Sequence, residues 1–162
     1  ESTFRNNIIS KLSNNFSNNA LILIDYIRHG EELYDRIKKE CPDKIVYFIQ
    51  GEVEVSQRDT IKKIIEDKSN VVCIAISKIF STGVNIKNLH YIVFAGGGKA
   101  KIKILQSIGR GLRKHESKDK LTIVDIADQL KYGYQNMVKR MTFYKKEKIN
   151  YGIKKITETK KA

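Results

Sequence analysis

Five short apolar runs, each separated from the next by a polar or amphipathic stretch, leave this chain few folds to adopt. They fall at residues 20–25, 44–49, 71–76, 91–95 and 121–126, and the third, Val71-Val72-Cys73-Ile74-Ala75-Ile76, is apolar throughout. A run this short with no polar alternation reads as a strand covered on both faces. Helical spacing fills the gaps. Phe4, Ile8, Ile9, Leu12 and Phe16 recur at helical intervals ahead of the first run, and Leu33 and Ile37 do so within 31–40, which stops before Cys41-Pro42, the single proline. Residues 56–67 open with Ser56, read as a capping serine, with Asp59 three residues on. The alternation predicts an α/β fold: a mostly parallel sheet of about five or six strands with helices on both faces. Ligands of such sheets sit at the carboxyl ends of the strands, where Gly51, Ser77, Thr82 and Gly96 would lie.

After residue 126 the pattern changes. Residues 128–148 read as one long helix, with Leu130, Tyr134, Met137, Val138, Met141 and Tyr144 on one face and Lys131, Lys139, Arg140, Lys145 and Lys146 elsewhere. Gly133 weakens that helix by about 1 kcal/mol relative to alanine. Charge is lopsided in the same direction. Residues 1–98 hold 13 Lys and Arg against 12 Asp and Glu, whereas residues 99–162 hold 18 against 6, so +12 of the net +13 lies in the last two-fifths. One-sided charge of this kind suits a surface for a polyanion, although the last dozen residues also read as a plain solubility tail.

The densest chemistry lies at Gln106-Ser107-Ile108-Gly109-Arg110-Gly111-Leu112-Arg113. Two arginines three residues apart on a helix point the same way, and their planar donor forks match phosphate oxygens. A solvated basic face is the bland alternative. Upstream, Ser77-Lys78-Ile79-Phe80-Ser81-Thr82-Gly83-Val84-Asn85 forms a polar stretch after the third run, and Gly96-Gly97-Gly98 follows the fourth. The glycine cluster reads either as an anion-binding nest or as a plain connection.

In that order, these segments resemble the second RecA-like motor domain of superfamily 2 helicases, and within them the phage UvsW-like DNA helicases. The likeness covers roughly residues 18–130: Gln106, Gly109, Arg110 and Arg113 fit motif VI, residues 77–85 fit motif V, and Leu21 to Asp25 with Arg28-His29-Gly30-Glu31 fit motif IV. Gly51 and Gln57-Arg58 fit the segment between. The resemblance implies that Arg113 is an arginine finger at the γ-phosphate of ATP, that Arg110 shares the task, and that Gln106 orients the pair. Gly83 and Asn85 would lie near the nucleotide, with Asn85 standing where many relatives have Asp. Arg28, His29, Gly30, Gly51, Arg58, Ser77 and Thr82 would meet the nucleic-acid backbone. For Arg28 and His29 an ordinary exposed loop, and for Arg58 a structural role, remain the competing readings.

The chain has no G-x-x-x-x-G-K-[ST] phosphate loop and no acidic pair of the family's Mg²⁺ pattern. By resemblance, ATP and Mg²⁺ are held mainly by a first, N-terminal RecA-like domain preceding Glu1, and this fragment alone is expected to be inactive. The expected organisation is a leading helix and loop over 1–19, the second RecA-like domain over 20–128 and a basic helical extension over 129–162. The expected function is the C-terminal motor half of an ATP-dependent DNA helicase or translocase acting on forks or junctions; the alternative is a non-catalytic nucleic-acid-binding α/β module. No metal site is expected, because His29, His90, His115, Cys41 and Cys73 are scattered without ligand spacing. No apolar run approaches the roughly 20 residues that span a bilayer. The expected setting is the cytoplasm, that of the host if the chain is of phage origin.

Overall fold

The computed structural model describes residues 3–50, 54–80, 86–96, 101–106, 121–127 and 131–158. The apolar runs become strands β1 (Ala20–Ile24), β2 (Ile45–Ile49), β3 (Val71–Ile76), β4 (Tyr91–Phe94) and β5 (Thr122–Asp125). They form one sheet in the order β2-β3-β1-β4-β5, and every adjacent pair is parallel. The helices are α1 (Thr3–Asn15), α2 (Ile27–Glu40), α3 (Glu54–Asp67), a short α4 at 101–106 and α5 (Lys131–Lys146), with a 3₁₀ turn at Ser77–Phe80.

Residues of β1 alternate between two apolar layers, as a pleated strand requires. Ala20, Ile22 and Ile24 join Ile9 of α1 and Leu33 and Ile37 of α2 on one face, while Leu21 and Leu23 join Ile61 and Ile65 of α3, Phe80, Ile104 and Tyr144 on the other. The expected α/β architecture with helices on both faces is therefore what the chain forms. Both cysteines are buried and unpaired, and burial pushes the Cys73 thiol up to about 12, which suppresses its thiolate.

Three local expectations are corrected. Helix α2 begins at Ile27, so Arg28, His29 and Gly30 form its first turn and not an exposed loop. The tight fit explains the glycine: a Cβ at Gly30 would stand 2.4 Å from both Ile24 Cδ1 and Phe48 Cζ. Helix α3 begins at Glu54, which puts Ser56 inside it, where its carbonyl accepts the Thr60 hydroxyl at 2.9 Å. In α5, Arg140 lies on the buried face, whereas Tyr134 and Val138, expected on the apolar face, are exposed.

The amino end of the sheet is sealed by amides. Asn19 is fully buried; its Nδ2 donates to the carbonyls of Lys68 (2.7 Å), Ile65 (3.0 Å) and Asn88 (3.1 Å), and its Oδ1 accepts the Val71 N–H at 2.9 Å. One side chain thus joins the end of α3 to the starts of β1 and β3. Asn88 adds bonds to the same Ile65 and Lys68 carbonyls from a left-handed backbone, φ 64°, which asparagine tolerates better than most residues.

Candidate functional site

Strand β1 lies between β3 and β4; the chain leaves β1 toward β2 on one side and leaves β3 toward β4 on the other, so the residues after these three strands converge at the carboxyl edge. Asp25, the first residue after β1, is the meeting point. The Ser77 hydroxyl donates to Asp25 Oδ1 at 2.9 Å, and a Cβ on Gly96 would come within 2.4 Å of Asp25 Oδ2. Gly96 therefore gives the carboxylate its space. Of the anticipated phosphate contacts, Ser77 is buried and its hydroxyl is engaged by Asp25.

A second carboxylate closes β5. Asp125 Oδ2 accepts the Tyr144 hydroxyl at 2.8 Å and the Arg140 Nε–H, both from α5, while its Oδ1 lies 3.6 Å from Lys101 Nζ of α4. Lys101 and Arg140 are each only 4 % exposed. Burial pulls the Lys101 ammonium down to about 8, against upward pulls from Asp125 and, more weakly, from Asp25. Burial, with the Asp125 carboxylate beside it, pushes the Tyr144 phenol far above its ordinary range. The ammonium also lies 5.7 Å from the Phe94 ring centroid, a cation–π contact. Chemically, this cluster holds α4 and α5 against the carboxyl edge of the sheet through one shared anion.

Helix α4 carries Gln106 at its exposed end, beyond the buried Lys101, Ile104 and Leu105. Arg110, Arg113, Gly83, Asn85, Thr82 and Gly51 lie outside the described residues. Arg28 is in solvent, its side chain 90 % exposed, with Glu32 at 3.4 Å. His29 is 2 % exposed and its Nε2 is hydrogen-bonded to Asn6 Oδ1 at 2.9 Å, so the ring packs α2 on α1 and offers no surface to a backbone phosphate. Gly30 is likewise buried. Arg58 is half-buried on α3. Sequence reasoning missed Asp25 and Asp125 as hubs. The available signal was positional, since each is the first charged residue after an apolar strand run. Among the described residues, no group of three His, Cys, Asp or Glu side chains could hold a metal ion, and no helix is long and apolar enough to cross a membrane.

The comparisons agree with this geometry. Residues 4–115 match the family described as "Helicase conserved C-terminal domain". The chain is 36 % identical over 171 aligned positions, 94 % of its length, to the ATP-dependent DNA helicase uvsW of Enterobacteria phage T4. It spans 34 % of that relative, about a third of its length. The crystal structure of T4 UvsW superposes with a TM-score of 0.73, covering 94 % of this chain and 34 % of that one. The C-terminal domain of the DEAD-box protein Dbp5 does so with a TM-score of 0.65 at 15 % identity, covering 89 % and 80 %, which bears on the fold alone. Family match, sheet order and converging loops coincide: this chain belongs to the helicase conserved C-terminal domain family, has the RecA-like fold of such domains, and is similar over most of its length to part of the phage T4 helicase uvsW.

Proposed function

We propose that this chain is the C-terminal motor half of an ATP-dependent DNA helicase or translocase acting on branched or forked DNA in the cytoplasm, that of the host if the source is a phage. Arg113 is the arginine finger reaching the γ-phosphate across an interdomain cleft, Arg110 shares that charge, and Gln106 orients the pair. ATP and Mg²⁺ are held mainly by an N-terminal RecA-like domain of the same polypeptide, with Gly83 and Asn85 near the nucleotide. When bound, the metal neutralises charge that develops on the transferring phosphoryl group. The donor set on this side fits a polyphosphate, because guanidinium groups stay charged and fork toward paired oxygens.

The observation that carries this reading is the mounting of α4. Helix α4, which precedes Arg110 and Arg113 in the sequence, lies against the carboxyl edge of the sheet, where buried Lys101 pairs with Asp125 at 3.6 Å. A finger has to be held still relative to its own domain if closure of two domains is to deliver it to phosphate. On the nucleic-acid side, Arg28 keeps the exposed charge that a backbone contact needs, and Arg58, Gly51 and Thr82 remain in the proposed path. Ser77 contributes through Asp25, as a positioning hydroxyl. Contacts to phosphate carry no base information, so binding is expected to be independent of sequence.

The test is DNA-stimulated ATP hydrolysis by a longer polypeptide that joins a phosphate-loop domain to this chain, beside its Arg113→Ala variant and the 162-residue chain alone. The expected result is turnover in the unmutated long form, a loss on the order of 10³-fold or more in the variant, and none in the chain alone. Undiminished turnover by Arg113→Ala would reject the finger assignment. Turnover in no form would favour the second reading, a non-catalytic nucleic-acid-binding module, which the basic final third supports equally well.

A further inference from the structure

The extension helix α5 reaches the carboxyl edge of the sheet through one carboxylate. Asp125 Oδ2 accepts both the Arg140 Nε–H and the Tyr144 hydroxyl, so two side chains one helical turn apart hold the same oxygen. The other oxygen, Oδ1, faces Lys101 Nζ of α4 at 3.6 Å, too far for a hydrogen bond, and neither atom has a hydrogen-bond partner among the described residues. Asp25 also attracts this ammonium, and Arg140 repels it. Charge alone therefore joins α4 to β5 at this point, and its strength depends on how α5 turns the carboxylate. Close packing does not fix α5 along its whole length. Met137 and Met141 border a cavity of about 600 Å³ that they share with Leu121 and Ile123 of β5 and with Ile149 and Tyr151 beyond the helix. A helix beside such a space is located by its polar anchors more than by shape.

We propose that Arg140 and Tyr144 are positioning residues for ATP turnover: through Asp125 and Lys101 they hold α4, and with it Gln106, in the orientation that the reaction needs. Gln106 stands five residues beyond Lys101 on the same helix, about 7.5 Å along its axis. A tilt of that axis at Lys101 is carried to Gln106, and a misplacement of about 1 Å at reacting groups costs on the order of 100-fold in rate. Neither α5 side chain has to touch the nucleotide for this. Both are buried, and both act on the anion that α4 shares. The inference rests on the proposed reading of Gln106, Arg110 and Arg113 as the phosphate-facing group, and it adds that the C-terminal extension governs how well that group works.

The experiment is steady-state ATP hydrolysis, with DNA saturating, by the longer polypeptide that joins a phosphate-loop domain to this chain. Arg140→Met is expected to lower kcat by about 10- to 100-fold, while KM for ATP and the affinity for DNA change less than about twofold. Arg140→Lys keeps a charge opposite Asp125 and is expected to recover most of the rate. Tyr144→Phe removes one hydroxyl and leaves the ion pair, so it keeps the test open where Arg140→Met folds poorly, and a smaller drop in kcat is expected. Lys101→Met should also slow turnover, and adding Arg140→Met to it should cost little more, because both act through one carboxylate. Asn19→Ala weakens the fold at the amino end, away from α4 and α5, and is expected to keep the parent kcat below its melting range. A parent kcat in both Arg140→Met and Tyr144→Phe, a loss confined to KM or DNA affinity, additive effects of the Lys101 and Arg140 changes, or an equal loss of kcat in Asn19→Ala would each overturn the proposal. Failure here is distinct from failure of the motor reading. If Arg113→Ala abolishes turnover while Arg140→Met leaves kcat intact, the motor stands and the positioning role falls; undiminished turnover by Arg113→Ala rejects the finger and this inference with it.

Discussion

The two ends of the sheet are built from different chemistry. At the amino end, Asn19 and Asn88 close the loops with neutral amide bonds to backbone, and Asn19 uses both ends of its side chain. At the carboxyl end, Asp25 and Asp125 gather Ser77, Lys101, Arg140 and Tyr144 around charge. Neutral amides give many bonds at modest desolvation cost, which suits a permanent seal. Buried ions are costly to hold and costlier to separate, so they fix elements in one arrangement. The lesson is that this fold orients α4 and α5 through carboxylates shared with buried cations, whereas at the amino end even the Lys44 ammonium bonds neutral acceptors, the Phe16 carbonyl and Asn70 Oδ1.

That contrast breaks most sharply at Asp125. Asp125→Asn would leave two cations, Lys101 and Arg140, buried without their shared anion, and the expected loss is about 3–5 kcal/mol of folding stability. Urea unfolding of the chain measures it. A loss under about 1 kcal/mol would mean that water reaches the cluster and that the extension is not anchored there. The Tyr144 hydroxyl keeps an acceptor in the Asn variant, so the effect reports charge and not a missing hydrogen bond.

At the other end, Asn19→Ala removes the side chain that serves three carbonyls and one N–H. Ile65 and Lys68 keep bonds from Asn88 Nδ2, at 3.1 and 3.2 Å, which limits the damage. The Val71 N–H is left buried and unpaired, so the expected cost is about 2–3 kcal/mol with an unchanged dependence on urea. It should be insensitive to salt and to pH between about 5 and 9, since no ionised group takes part. A salt-dependent loss would contradict the description of Asn19 as an electrically neutral joint between backbone groups.

How much of this could be read beforehand follows the physics of each element. The strands were legible because residues such as those of β3 are apolar on both faces, and that pattern needs no tertiary information. The likeness of residues 77–85 and 106–113 to helicase motifs was legible because motif order is itself a sequence property. Helix α2 was read as starting four residues late, because His29 and Gly30 look like turn residues until Asn6 and Phe48 are known to lie against them. The face of α5 was misread for a related reason. Periodicity assigns arginine to solvent, and only the unforeseen placement of Asp125 opposite Arg140 makes its burial favourable. Contacts between distant charges are what local pattern cannot supply.

The smallest expected effect sharpens the charged end and concerns Lys101. Its ammonium, ordinarily at 10.5, is pulled down to about 8 in the folded chain, first by burial. Below pH 8 the group is protonated in both states, and the folded state carries the full penalty of a buried charge. Between about 8 and 10.5 the unfolded chain binds the extra proton, so the stability contributed by this group rises with pH. Cys73 and Tyr144 act oppositely, since both are raised on folding and their unfolded forms ionise first as the solution becomes alkaline. A bare pH profile would mix the three. The comparison that isolates Lys101 is Lys101→Met, a substitution of similar length that leaves Asp125 paired with Arg140 and Tyr144. At pH 7 the Met variant should melt at a higher temperature than the parent chain, and that advantage should shrink as pH rises from 8 toward 10. An advantage that is constant with pH would show that Met gains by packing alone. A variant less stable at pH 7 would show instead that the attraction to Asp125 outweighs the cost of burying the ammonium, and α4 would then be pinned by a net favourable ion pair.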